Sequence, residues 1–221
     1  KTVVVLMNGR PIVEPMLYDQ ATSILNAWHL GSEAGHAIAD VLSGSYNPSG
    51  KLPMTIPKQQ GQIPIYYNQK NTGRPAPKDG NYDAVFWSHY IDGPNSPQFP
   101  FGYGLSYTQF EIGAPSLSKT SYTIGEPIKF SVEVKNSGNR FGEEVVQIYI
   151  RDHHASTVRP IKELKAFQKV GLAPGESKSL QFELGENELG FYGPKNEFVV
   201  ESGTFTVFSG ANSEEIQGVE F

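Results

Sequence analysis

The segments KFSVEVKNSG (129–138) and EEVVQIYIRD (143–152) decide the fold of the second half of this chain. In both, apolar side chains alternate with polar ones, which is the pattern of a β-strand with one buried face. Three further segments of this kind follow at 161–170, 177–184 and 203–210, with turn residues between them. Several short strands at this spacing predict an antiparallel β-sandwich.

The first sixty residues have a different pattern. Thr2–Met7 is an unbroken, mostly β-branched run, typical of a parallel strand that is buried on both faces. Ser23–Trp28 is a second apolar run and is also predicted to be a strand. Ser32 is the predicted N-cap of a helix whose apolar residues recur at helical spacing and which ends at Gly44. Leu52–Ile56 is predicted to be a short strand between two prolines.

Residues 57–104 are rich in Pro, Gly, Asn and Gln and keep no period, which predicts a long ordered loop region. The predicted fold class is therefore α/β plus all-β. A partial α/β sandwich, with a parallel-rich sheet and helices, occupies 1–110, and an immunoglobulin-like or fibronectin-like β-sandwich occupies 111–221. Because the first residues form a strand of central type, we expect the chain to be a piece of a longer protein.

The composition excludes several classes of function. The formal net charge is -5 and no run of Lys or Arg occurs, which argues against a nucleic-acid partner. No apolar run approaches the length of a membrane span. The chain has no cysteine, so disulfides and cysteine-based zinc sites are excluded. The oligomeric state is left open by the sequence.

Titratable side chains cluster in NAWHLGSEAGHAIADVLSGSYNPSGKLP (26–53). Glu33, His36 and Asp40 nearly share a helix face and could ligate a divalent metal. The preferred interpretation is the polar flank of an amphipathic helix, because no second Glu-x-x-His motif supplies partner ligands. His29 is interpreted as a loop histidine rather than a ligand. His153 and His154 are adjacent on a strand, so their side chains are expected to point to opposite faces.

The best candidate for ligand contact is YYNQKNTGRP (66–75). Its aromatic rings, amides and single guanidinium are the groups that stack on sugars and read their hydroxyls. The alternative is a surface turn set by Gly73 and Pro75. Elsewhere the sequence has no G-x-S-x-G elbow, no G-x-G-x-x-G opening a helix and no P-loop.

Four stretches together carry a family resemblance: VVVLMNGRP (3–11), AWHLGSEAGHAIADVLSGSYNPSGKLPMTIP (27–57), GQIPIYYNQKNTGRP (61–75) and FPFGYGLSYTQF (99–110). In this order they resemble the C-terminal portion of glycoside hydrolase family 3, in particular its bacterial periplasmic β-glucosidases. RPIKELKAF, LAPGES and GTFTVFSG resemble the terminal fibronectin type III-like domain of that family. The resemblance covers essentially the whole chain.

The resemblance implies a retaining, exo-acting hydrolase that removes terminal non-reducing β-D-glucosyl residues without a cofactor. It implies a (β/α)₈ barrel and both catalytic carboxylates upstream of Lys1. No catalytic role is therefore assigned to any carboxylate in this chain, including Glu14, Glu33, Asp40, Asp83 and Asp92. The chain is expected to be inactive by itself and to be periplasmic or secreted.

Sandwich-domain loops face the barrel mouth in that family, so Tyr67, Asn71 and Arg74 are expected on the aglycone side of the pocket. The expected partners are β-linked glucosides or oligosaccharides and the N-terminal barrel segment. The alternative function is an autonomous carbohydrate- or partner-binding module without catalysis. We also expect 1–110 to be unstable alone, because its first strand exposes an unpaired edge, whereas 115–221 should fold independently.

Overall fold

The structure is a computed structural model that describes residues 1–77 and 86–221. Two strands near the N-terminus form a parallel pair: β1 (Val3–Leu6) and β2 (Ser23–Asn26), with Val3 opposite Ser23 and Leu6 opposite Asn26. Both strands were predicted, and both are confirmed, but the expected burial on both faces is wrong, since no residue of either strand is buried and Val3 is exposed. The short helix α1 (Pro15–Gln20) lies between them and was not predicted. Its proline occupies the first turn, where the missing N–H costs no hydrogen bond.

Helix α2 spans Ala34–Ser43 and is preceded by a 3₁₀ turn, Gly31–Glu33. The predicted N-cap at Ser32 is wrong, because Ser32 lies inside that turn and the helix begins two residues later. The predicted end at Gly44 is confirmed. Gly44 has φ of 77°, a left-handed conformation that suits a residue without Cβ.

The predicted strand at Leu52–Ile56 is wrong. Only one isolated bridge forms there, between Ile56 and Phe99. The prolines at 53 and 57 lack the N–H that a continuous ladder needs, so no strand forms, although Leu52 exchanges backbone hydrogen bonds with Tyr103 and Gly102.

The following loop is ordered by a buried glutamine, Gln62, which lies in a 3₁₀ turn, Gln60–Gln62. Its Oε1 accepts the N–H of Lys58 at 2.6 Å, and its Nε2 donates to the carbonyls of Pro94 and Ser96 at 2.7 and 3.0 Å. One side chain thus joins both ends of the loop.

The second half is a two-sheet β-sandwich, as predicted. In one sheet, strand β5 (Ile128–Asn136) pairs with three others: β3 (Phe110–Ile112), β4 (Ser116–Leu117) and β8 (Ser177–Leu184). The other contains β6 (Gly142–Asp152), β7 (Glu163–Leu172), β11 (Phe205–Gly210) and β12 (Ile216–Glu220), in the order β12-β11-β6-β7. Helix α3 (Glu186–Leu189) and the small pair β9 (Phe191–Tyr192) and β10 (Phe198–Val199) lie between β8 and β11.

The core of the molecule lies between these two sheets. Alternate residues of β5 and β6 supply it, including Val132, Val134, Val146 and Ile148, which are fully buried. The alternation seen in the sequence therefore corresponds to the inward face of each strand. The predicted division between 1–110 and 111–221 falls within β3, and it stays a prediction. In the part of the chain that the structure describes, no helix is long and apolar enough to cross a bilayer.

Candidate functional site: the loop at 66–75 and its support

Tyr67 fastens the predicted ligand-contact loop to the β-sandwich. Its ring stacks on Phe101 with centroids 4.3 Å apart and meets the ring of Tyr149 edge-on at 5.8 Å. Its hydroxyl accepts the backbone N–H of Leu164 at 3.2 Å. Because the ring lies between the two halves of the chain, Tyr67 holds the start of the loop in place.

Gln69 and Lys70 also contact the β-sandwich, and the residues after them are exposed to solvent. The N–H of Ile161 donates to the carbonyl of Gln69 at 2.9 Å, and Lys70 forms a bridge with Pro160. Asn71 and Arg74 follow and are exposed. The loop thus presents an amide and a guanidinium from a fixed base, a geometry that suits recognition of hydroxyl groups.

Arg74 lies over an aromatic ring that the sequence analysis did not single out. Its guanidinium carbon is 4.9 Å from the ring centroid of Phe86, which is exposed. Arg74 is also fixed through its backbone, since its carbonyl accepts the N–H of Ser88 at 2.9 Å. A cation over an exposed ring combines a stacking surface with hydrogen-bond donors. The aromatic content of 86–90 was the available signal for Phe86.

A buried polar network supports the loop from below, centred on Gln147 of β6. Its Nε2 donates to the carbonyl of Gly102 at 3.0 Å and to that of Ala211 at 2.6 Å. The hydroxyl of Tyr149 donates to its Oε1 at 2.6 Å, and burial raises the pKa of that hydroxyl. Gly102 has φ of 80°, and a Cβ there would lie 2.0 Å from Gln147 Oε1, so only glycine fits.

An ion pair and an asparagine join the two halves further along. Lys51 Nζ lies 2.6 Å from Glu144 Oε1, and the two side chains are 12% and 7% exposed. Asn47 Oδ1 accepts the N–H of Tyr107 at 2.8 Å, while its Nδ2 donates to the carbonyl of Phe141 at 3.1 Å. The β-sandwich and the loop region are therefore joined by stacked rings, buried amides and a charged pair.

The structure does not bring Glu33, His36 and Asp40 together as a metal site. His36 Nδ1 lies 2.9 Å from Glu33 Oε2, and the two side chains are 88% and 80% exposed. Among residues 1–77 and 86–221, no group of three or more metal-ligating side chains is arranged to hold an ion. These residues form a solvated helix flank.

The remaining histidines occupy loop and strand-end positions. His29 is exposed and its ring lies against Gly9, beside the carboxyl ends of β1 and β2. His153 Nε2 lies 2.8 Å from Thr206 Oγ1, and burial lowers the pKa of that imidazole. The rings of His153 and His154 are 6.5 Å apart.

Two further carboxylates, Glu14 and Asp92, are exposed. Glu14 is the residue before α1, and Asp92 Oδ1 lies 3.5 Å from Gln59 Nε2. Asp83 lies outside the described residues.

Comparison with known proteins accounts for both halves of this architecture. The glycosyl hydrolase family 3 C-terminal domain matches residues 1–107, and the fibronectin type III-like domain matches residues 144–213. Residues 1–107 therefore form a C-terminal domain of glycosyl hydrolase family 3. The fold class and the family resemblance inferred from the sequence are both confirmed.

The relatives match this chain over nearly its whole length. It is 45% identical over 220 residues to the periplasmic β-glucosidase of Salmonella typhimurium, covering 99% of this chain and 28% of the relative. It is 42% identical over 212 residues to a β-xylosidase of Formosa agariphila, covering 96% of this chain and 28% of the relative. The crystal structure of a β-glucosidase from Listeria innocua in complex with glucose superposes with a TM-score of 0.94 at 45% identity, covering 99% of this chain and 30% of that one. The chain thus spans less than a third of the proteins it matches.

Proposed function

We propose that this chain acts as the C-terminal part of a retaining, exo-acting β-glucosidase-like hydrolase that removes terminal non-reducing β-D-glucosyl residues. The observation that carries the proposal is the match along 99% of the chain to proteins named β-glucosidases, of which it forms only 28–30%. The fixed loop at 66–75 supplies a surface suited to sugars, and no cofactor is needed for such chemistry.

A division of labour follows from this proposal. Retaining hydrolysis needs two carboxyl groups about 5–5.5 Å apart, one acting as nucleophile and the other as general acid and base. We assign both to the remainder of the enzyme, the barrel side, and none to this chain. The chain forms one wall of the substrate pocket and binds the barrel segment.

We assign Tyr67, Asn71 and Arg74 to the part of this wall that faces the aglycone. Tyr67 positions the loop through Phe101 and Tyr149, and Asn71 and Arg74 are left to contact the substrate. β-Linked glucosides or oligosaccharides are the ligands that these groups suit. A periplasmic or secreted location is proposed from the name of the Salmonella relative.

The test uses this chain alone and the same chain joined to the N-terminal region of the Salmonella relative. We expect aryl β-glucoside hydrolysis from the joined protein and none from the chain alone. Hydrolysis by the 221-residue chain alone would contradict the assignment of both carboxylates to the other part.

The wall assignment is tested separately in the joined protein by Arg74→Ala. Loss of a charged hydrogen-bond donor to the aglycone should raise KM about tenfold and leave kcat little changed. Lys195→Ala, which removes an exposed cation from a turn of the β-sandwich, is the matched control and should not alter KM. Equal kinetics for both variants on several β-glucosides would refute the role of Arg74.

A further inference from the structure

A groove of about 410 Å³ lies at the end of β6 and borders the loop surface described above at Asn71. It is lined by the continuous segment Arg151–Ile161 and by Asn71 from the first half of the chain. Its volume falls within the range of roughly 300–1,000 Å³ that is common for small-molecule sites. The groove is therefore large enough for a ligand of one or two sugar rings.

The backbone of this segment is held in place without any ligand. The N–H of His153 donates to the carbonyl of Thr204 at 3.1 Å, and the N–H of His154 donates to Asp152 Oδ1 at 3.2 Å. The N–H of Ser156 donates to Glu201 Oε2 at 2.8 Å. Because these bonds fix successive parts of the segment, little conformational entropy is lost when a ligand binds.

The charged groups at the base of the groove already have partners. Arg159 Nη2 donates to Glu163 Oε2 at 2.7 Å, and its guanidinium lies 4.6 Å from the ring centroid of Phe191. The side chain of Asp152 is 4% exposed and lies 3.7 Å from Arg159 Nε. Arg159 thus has two carboxylate neighbours, so the base of the groove offers no unpaired cation to an anionic ligand.

Other polar side chains of the groove are left for a ligand. In the described part of the chain, the side chains of Asn71, Arg151, His154 and Thr157 have no hydrogen-bond partner. An amide and a hydroxyl each both donate and accept, an imidazole offers two ring nitrogens, and a guanidinium donates. Val158, largely exposed, and Ile161 add apolar contact area.

We propose that this groove is a second, non-catalytic saccharide-binding site. Vicinal sugar hydroxyls both donate and accept hydrogen bonds, so they match the four unpartnered groups, and the C–H faces of the ring match Val158 and Ile161. Asn71 connects the groove to the loop at 66–75, so a bound sugar contacts both halves of the chain. The site does not depend on hydrolysis and can be tested without it.

The test is a titration of the 221-residue chain with cellobiose and with glucose, followed by ¹⁵N–¹H correlation spectra. We expect saturable shifts at residue 71 and across 153–158. Thr157→Ala and Asn71→Ala should each weaken binding about fivefold, the effect of losing one hydrogen bond. Thr120→Ala, an exposed threonine outside the groove, is the matched control and should bind as the parent does.

Three outcomes would overturn the proposal. The first is the absence of saturable shifts at tens of millimolar sugar. The second is a response of the same amides to inorganic phosphate but not to sugar, which would make the groove an anion site. The third is equal affinity in Thr157→Ala and Thr120→Ala. None of these outcomes bears on whether the joined enzyme hydrolyses β-glucosides.

Discussion

Replacing Gln147 by leucine tests how the two halves of the chain are held together. Gln147 is 3% exposed, and its amide bonds the carbonyls of Gly102 and Ala211 and the hydroxyl of Tyr149. Leucine has a similar volume but no polar atom, so Gln147→Leu leaves two carbonyls and a hydroxyl buried without this partner. Each such group costs about 1–3 kcal/mol, and the groups are coupled.

We expect Gln147→Leu to lower the free energy of unfolding by about 3–5 kcal/mol, a large share of the roughly 5–15 kcal/mol typical of a domain. Urea unfolding of the whole chain, followed by circular dichroism, measures this loss. Gln168→Leu on β7 is the matched control, since Gln168 is exposed, and it should change stability by less than about 0.5 kcal/mol. Tyr149→Phe should cost about 1 kcal/mol, because it removes one hydrogen bond.

A cost for Gln147→Leu no greater than that for Gln168→Leu would refute this role of Gln147. Unchanged hydrogen exchange in residues 98–104 of Gln147→Leu would refute it too, because the amide of Gln147 would then not be fixing that segment.

Three further predictions concern charge and local stability. Glu144→Gln should lower the free energy of unfolding in urea by about 3–5 kcal/mol, because it leaves the ammonium of Lys51 buried without its counter-ion. Adding Lys51→Met to Glu144→Gln should recover part of this loss. An unchanged urea midpoint for Glu144→Gln would contradict this role of the ion pair. Burial raises the pKa of Asp152 above its ordinary 3.8, so the folded state keeps a proton that the unfolded chain has lost. Stability should therefore fall as pH rises from 3.8 through the folded pKa, and Asp152→Asn should remove this decline; a carboxyl NMR titration midpoint at or below 3.8 would refute it. Amides of β5 and β6 should exchange far more slowly than those of β1 and β2, which form a sheet of two strands in the described part of the chain, and equal protection would contradict an independently stable sandwich.

Local pattern was sufficient for the long strands of the β-sandwich and for the end of helix α2. The alternation in 129–138 and 143–152 became β5 and β6, because the side-chain period of a strand depends only on neighbouring residues. Gly44 was read correctly as a helix end for the same reason. Where two local signals competed, the prediction failed: the apolar residues of 52–56 suggested a strand, and the flanking prolines prevented a continuous ladder.

The sequence by itself determined the two-part architecture, the strands of the sandwich and the family, because these rest on periodicity and on long ordered motifs. Only the tertiary structure showed that Tyr67 packs between the two halves and that Gln147 reaches carbonyls 45 and 64 residues away. It alone placed Asn71 beside the segment 151–161. Contacts of this kind join residues that are distant in sequence. No local propensity encodes them, and they exist only once the β-sandwich has formed a surface on which the loop can pack.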